Sequence, residues 1–327
     1  MKKLFKFLII VIMAAFICNF MPTDYYLIKP GSVQGLGSMI AVDGESRDED
    51  GEFYMVTVSQ QSASFLLYIY GKINSIAELR PITEIMPPDM TMEEYNDLMD
   101  SWMQESKDLA KVIAMRRAGY EVPIVSDGVG VVELIPGSPA EDILLPGDII
   151  KSVDGRTVYL AEELVALIQD KEVGEEVNLE VLRDGVSEEL SVPTAPHTDN
   201  PQKAALMIYV STVNWHPIIS LDIEIDTGPV IGPSAGMMFV LELLDRLLPE
   251  NLTGGVNIAG TGTISLNGKV GEIGGVKQKV AAAEMAGMEY FLVPAGNYEE
   301  ALEGARKIQV VPVETLDDAL NFLKSRI

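Results

Sequence analysis

The stretch Gly228-Pro229-Val230-Ile231-Gly232-Pro233-Ser234-Ala235-Gly236 constrains this 327-residue chain more than any other: a glycine- and proline-rich loop hands a serine to the start of a strongly apolar helix expected over 235–248. Strand-like segments at 218–225, 256–260 and 262–266 flank that helix. After the glycine-rich 268–275 come an alanine-rich helix from about 276 to 286, a strand at 290–293 and a closing helix-strand-helix alternation, which is an α/β pattern for residues 197–327. A helix N-terminus offers unpaired N–H groups and the positive end of a dipole, a place to hold an oxyanion. The small neighbours Gly232, Pro233 and Ala235 would let a substrate carbonyl reach the backbone. Serine is also a favoured N-cap, so the motif alone leaves both roles open.

If Ser234 is a nucleophile, its base follows by elimination. Gly232-Pro233-Ser234-Ala235-Gly236 fits the G-x-S-x-G elbow of α/β-hydrolases, but there the histidine follows the serine, whereas His197 and His216 both precede Ser234. A different chain order would permit His216, but it stands beside Pro217 just before an apolar strand and reads as a surface or structural residue. The single cysteine, Cys18, lies in an N-terminal apolar run, which closes off thiol nucleophiles and thiolate metal sites downstream, and no HExxH pattern suggests zinc. Lysine can serve when burial disfavours its ammonium form. Of the two in Gly274-Gly275-Val276-Lys277-Gln278-Lys279, Lys279 shares a helix face with Val276, Ala282 and Ala283, while Lys277 points toward Ala281 and Glu284. Lys279 is the one expected to be desolvated.

Asp and Glu number 49 against 24 Lys and Arg, a net charge of −25 that argues against nucleic-acid partners. Lys2, Lys3 and Lys6 precede the apolar run from Phe7 to Met21, a form shared by secretory signal segments and N-terminal anchors. No clean small-x-small cleavage site follows, so a transmembrane anchor over 1–24 is expected, with residues from about 25 onward outside the cytoplasm. The run is shorter than the ~20 residues of a typical span, which keeps a cleaved segment open. A Gly-containing, then acidic, linker at 30–50 leads to strand signals at 53–58 and 65–70. Pro87-Pro88 ends that unit, and Thr91 with Glu94 forms a capping-box signature for a helix running to about Arg117. Residues 25–120 thus read as a linker and an N-terminal α/β region with no visible chemistry, and Trp102 as packing.

Residues 121–196 read as strand, turn at 136–139, short helix, turn at 146–148, strand, Asp154-Gly155 turn, helix at 161–169 and two strands joined by Asp184-Gly185. The string from Gly128 to Val158 resembles the PDZ domains of bacterial envelope proteases. That resemblance implies a groove between the strand at 129–134 and the 161–169 helix, where an extended peptide adds as a strand, with Gly128, Val129, Gly130 and Val131 as its contacts. A PDZ fold that only packs against its neighbours is the alternative.

Ser234 in Gly-Pro-Ser-Ala-Gly, then Gly260-Thr261-Gly262, then Gly274-Gly275-Val276 with Lys279 45 residues after the serine, and a strand ending Val293-Pro294, resemble the proteolytic domain of Lon proteases over roughly 200–327. The resemblance implies a catalytic Ser234–Lys279 dyad with Thr261 orienting the lysine. Departures are Ile231 and Thr263, where many Lon proteins carry acidic residues, and no ATPase module is visible: Gly262 to Val270 has the wrong spacing for a phosphate loop. The whole looks like the membrane-anchored bacterial PDZ-containing Lon-like proteases. The fold class expected is multidomain α/β (α+β): an N-terminal transmembrane anchor, a β-rich PDZ domain and a Lon-type α/β domain. The function implied is an ATP-independent, cofactor-free and metal-free serine endopeptidase acting outside the membrane on flexible or unfolded proteins. Because Lon-type domains often form rings, a homo-oligomer is among the expected partners. The rival is an anchored, non-catalytic PDZ adaptor with a retired peptidase domain.

Overall fold

The computed structural model describes residues 5–326 except 7–8, 10–12, 14–15, 17–18, 44–50, 87–89 and 198–200. Most of the apolar run, Cys18, the acidic linker and Pro87-Pro88 therefore lie outside the described residues. No helix among those described is long and apolar enough to cross a membrane.

The chain forms two compact units, and the second is inserted in the sequence of the first: residues 1–121 belong with 221–327, and 122–220 stand by themselves. This redraws the division expected at 121 and 197. The segment before the insertion is half of the serine-bearing unit rather than a separate region, and the return to that unit comes at Leu221. The reason is strand pairing. β1 (Pro22–Gly35) and β2 (Glu52–Ser64) form a long antiparallel pair, and β1 also pairs with β3 (Glu78–Pro81). Between them lies α1 (Phe65–Ile73), where the aromatic and β-branched content predicts a strand. Ser64 caps it instead as a helix, its hydroxyl accepting the Leu67 N–H. Next comes α2 (Met92–Arg117), opened by the Thr91/Glu94 capping box.

The inserted unit is a five-strand path with its core between sheet and helix. Its strands are β4 (Gly128–Leu134), β5 (Ile149–Val153), β6 (Glu176–Arg183), β7 (Val186–Pro193) and β8 (Ile208–Val213), in the order β7-β6-β5-β4-β8, with the helix α3 (Ala161–Gln169). Val129, Val131, Ile150, Leu164, Ile168, Leu179 and Val181 make its core. Alternation along β6 buries Val177, Leu179 and Val181 and leaves their neighbours outside. The buried Asp148 carboxylate accepts from Arg183 Nε and Nη2 at 2.7–2.8 Å, which pins the turn before β5. Between the turns at 136–139 and 146–148, where a short helix is expected, residues 140–143 are turns.

Returning to the first unit, α4 (Gly236–Leu247) is buried from Gly236 to Leu244. β9 (Asn257–Gly260) then enters the sheet parallel to β2, α5 (Val276–Met285) packs on β1 and β2, and β10 (Tyr290–Pro294) and β11 (Gln309–Val313) complete the order β11-β10-β9-β2-β1-β3. The sheet is thus half antiparallel, from the segment before the insertion, and half parallel, from the segment after it. Phe53, Met55, Ile258, Phe291 and Leu292 are fully buried in it.

Candidate active site

Three of the residues singled out in the sequence converge. Lys279 Nζ stands 2.7 Å from Ser234 Oγ and 3.0 Å from Thr261 Oγ1. The Thr261 hydroxyl donates to the Ser234 carbonyl at 2.9 Å. That fixes one hydrogen-bond direction: with its proton committed to the carbonyl, the Thr261 oxygen can only accept from the lysine, which holds the amine beside the Ser234 hydroxyl. Thr261 is itself 1% exposed at the end of β9.

Lys279 is carried one turn into α5. Its helix starts at Gly275, whose φ of +70° favours glycine and whose added Cβ would lie 2.8 Å from Val58 Cγ1. Val276, Val280, Ala282 and Ala283 surround that face, and Lys279 is 3% exposed. Burial alone lowers its pKa from the ordinary 10.5 to about 7. Lys277, two residues earlier, is half-buried and paired with Glu303 at 2.8 Å.

The serine loop is held from two sides. Gly262 N–H donates to the Ser234 carbonyl at 2.8 Å, and Met237 N–H to the Gly262 carbonyl at 3.1 Å, lacing the loop to the end of β9. On the other side is α2, which sequence reasoning assigned no chemistry. Gly232 N–H donates to the Met99 carbonyl at 3.0 Å, and the buried Ser106 hydroxyl donates to the Pro233 carbonyl at 3.1 Å. Pro233 O also accepts the Gly236 N–H at 3.2 Å. Since the Pro233 carbonyl and the Ser234 N–H share one peptide plane, Ser106 sets the direction of that N–H. Ser106 was detectable in principle: it is a polar residue on the buried stripe that Met103, Ala110 and Ile113 trace at helical spacing. Gly236 has no room for a side chain, as a Cβ there would meet Ser106 Oγ at 2.6 Å and Ile264 Cγ2 at 2.9 Å. Among the described residues, the N–H groups of Ser234 and Ala235 take no acceptor, which leaves them for an oxyanion.

A cleft of about 650 Å³ opens onto the serine, lined by Met55, Val56, Val58, Tyr95, Met99, Met103, Pro229, Ile231, Gly232, Pro233, Ala235 and Lys279 among others. Its wall is largely apolar and methionine-rich, and its floor follows β2 beyond residue 55, where the pairing with β9 ends. His197 and His216 both belong to the inserted unit, where His216 is exposed and pairs with Val125.

In the inserted unit the expected groove has to be moved by one strand. Gly128, Val129, Gly130 and Val131 lie on β4, which is paired on both sides: Val129 faces Ile150 of β5 and Thr212 of β8, and Val131 faces Val210. A strand with two neighbours has no edge to offer. The edge next to α3 is β8, supplied by a segment after the two-stranded hairpin, beyond the boundary expected at 196. A small apolar cavity of about 130 Å³ lies there, lined by Leu164, Val165 and Ile168 of α3 and by Leu206, Ile208 and Val210.

Comparison with known proteins finds two families, whose matched ranges overlap the two units without coinciding with them. A PDZ-domain profile matches residues 103–194, and the profile of the Lon protease (S16) C-terminal proteolytic domain matches residues 213–324. The chain is 38% identical over 96 residues to the Lon protease of Neorickettsia sennetsu, 39% over 103 to that of Clostridioides difficile and 36% over 118 to that of Methanosarcina barkeri. These stretches cover 28–34% of this chain and only 11–14% of the relatives' lengths. Among solved structures, the PDZ domain of an SdrC-like protein from Listeria innocua is 27% identical, with 26% of this chain and 93% of that one covered at a TM-score of 0.24. The chain therefore carries a PDZ domain and a Lon-type C-terminal proteolytic domain, and with them the fold of a serine-type peptidase.

Proposed function

We propose that this chain is a serine endopeptidase that works without ATP, using a Ser234–Lys279 dyad on flexible or unfolded protein segments, and that it is held at the outer face of a cytoplasmic membrane by its N-terminal apolar run. The observation that carries the catalytic part is the 2.7 Å contact between Ser234 Oγ and the buried Lys279, whose pKa burial lowers to about 7, with no carboxylate among the described residues raising it. Neutral Lys279 takes the Ser234 proton as Oγ attacks the peptide carbonyl, and the N–H groups of Ser234 and Ala235 hold the oxyanion. The resulting ammonium gives its proton to the leaving amine. Water then attacks the acyl-enzyme, Lys279 takes a proton from it, and Ser234 leaves as the alcohol. Thr261 holds the lysine on the serine throughout. An extended segment fits the cleft because β2 beyond residue 55 offers main-chain groups along its length, whereas a folded domain would not present a strand there.

The anchoring part is supported by the lysines before the apolar run, and the ATP-independent part rests on residues 262–270, whose spacing does not fit a phosphate-binding loop. The PDZ unit fits a role in presenting peptide segments along the β8 edge. Ser234→Ala and Lys279→Ala should each abolish cleavage of an unstructured protein such as casein, whereas Lys277→Ala should retain it. Full activity in either of the first two variants, or its loss only in the third, would overturn the dyad. Casein left uncleaved by the unsubstituted chain across pH 7–10 would favour a non-catalytic adaptor.

A further inference from the structure

Helix α1 reads Phe65-Leu66-Leu67-Tyr68-Ile69-Tyr70-Gly71-Lys72-Ile73, apolar or aromatic but for Gly71 and Lys72, yet none of its residues is buried. It rests on the sheet through the Gly71 side, where an added Cβ would meet Leu79 and Leu27. Phe65, Ile69 and Ile73, at four-residue spacing, and Tyr70 beside them form the side turned away, with Ile73 79% exposed. A helix on the surface of a water-soluble fold carries polar groups on that stripe, and one that does not marks a contact surface. The Lys72 ammonium lies over the Tyr68 ring, 5.5 Å from its centre.

What covers this stripe is indicated by its neighbour. The Phe65 N–H donates to the Met21 carbonyl at 2.9 Å, so the first turn of α1 is bonded to the residue where the apolar run ends. Tyr25, four residues further on, meets Tyr68 edge-on with ring centres 5.1 Å apart. Tyrosines at the end of an apolar run prefer the level of lipid headgroups. We propose that α1 is a second lipid contact, lying flat in the headgroup region with the Phe65, Ile69, Tyr70 and Ile73 stripe turned into the acyl boundary. The assignment rests on the anchoring reading above. With a net charge of −25 the chain is not drawn to anionic headgroups, so the stripe inserts by apolar burial and zwitterionic lipid suffices.

The test uses the full chain with Cys18→Ser and single cysteines introduced as Met13→Cys, Ile73→Cys or Met285→Cys, each carrying an environment-sensitive fluorophore, in phosphatidylcholine vesicles with or without nitroxide-labelled lipid. Met285, on α5, is an exposed reference. Labels at 13 and 73 should be quenched by the lipid nitroxide at least about fivefold more strongly than the label at 285. Adding Ile69→Glu should remove that difference at position 73 while casein cleavage stays unchanged. Quenching at 13 with position 73 reached only by aqueous iodide leaves the anchor standing and overturns this inference. Position 73 shielded from both quenchers means that protein, a second copy or another partner, covers α1, which also overturns it. No quenching at 13 removes the anchoring reading and this one together.

Discussion

Replacing Lys279 by methionine, a side chain of similar length without the amine, should inactivate the enzyme and stabilise the fold together. In the unfolded chain the lysine titrates near 10.5, whereas in the folded protein burial brings it to about 7. Between those values the folded state binds fewer protons than the unfolded one, so the stability of the unsubstituted protein rises with pH across that window. The cost of carrying the lysine is full below about pH 7, where at ~1.4 kcal/mol per pH unit it amounts to roughly 5 kcal/mol, and it disappears above 10.5. Lost hydrogen bonds to Ser234 and Thr261 offset about 1 kcal/mol each. Lys279→Met should therefore be more stable by about 2–3 kcal/mol at pH 6, and the advantage should shrink by ~1.4 kcal/mol per pH unit between about 8 and 10. Urea unfolding of both proteins from pH 6 to 10 measures this, alongside casein cleavage, which should fall by at least ~10³-fold. A variant less stable than the parent at pH 6, or a gap that does not change with pH, would refute the claim that an uncompensated buried amine sits beside Ser234.

The same lysine sets the pH dependence of the unsubstituted enzyme: kcat/KM should climb through a midpoint near pH 7 as Lys279 loses its proton and then level off, measured on a short fluorogenic peptide. Ser106→Ala removes one of the two donors to the Pro233 carbonyl and should lower kcat per titrated active site by about tenfold with KM unchanged. Titration counts only competent molecules, so an unchanged kcat per site would leave Ser106 a purely structural residue. Gly236→Ala has no space and should cost about 1–3 kcal/mol of stability by chemical denaturation, with activity lost in parallel. Val165→Asp, on the exposed rim of the cavity in the inserted unit, should weaken cleavage of casein severalfold while leaving a short peptide substrate untouched, and equal effects on both would exclude the β8 edge from substrate presentation.

What could be read in advance depended on whether the deciding contacts were local. The burial of Lys279 was legible because its environment is set by residues three and four positions away on one helix, and the Thr91/Glu94 box announced α2 for the same reason. Composition between 65 and 70 favours a strand, whereas the segment is a helix capped by the Ser64 hydroxyl and packed through Gly71 on Leu27 and Leu79, contacts that the composition does not record. The place of β8 could not be read at all: whether the segment at 208–213 closes the inserted sheet or opens the next unit depends on pairing with β4 some 80 residues earlier, and nothing in its own residues records the partner. Likewise, the role of α2 in the site rests on contacts from Met99 and Ser106 to residues 232 and 233, across the whole insertion.

The interruption of the serine-bearing unit by residues 122–220 also sets an order of events during synthesis. Domains fold largely as units as the chain emerges. Here β1, β2 and α2 leave the ribosome first and must wait, with one edge of β2 unmatched, while about a hundred residues of a self-sufficient domain are made and can fold. Ser234, Thr261 and Lys279 arrive only afterwards, in that order, and β9 reaches β2 between the serine and the lysine. No nascent chain that stops short of Lys279 holds the contact that would make its serine reactive, so the insertion delays the chemistry by the time taken to make about a hundred further residues.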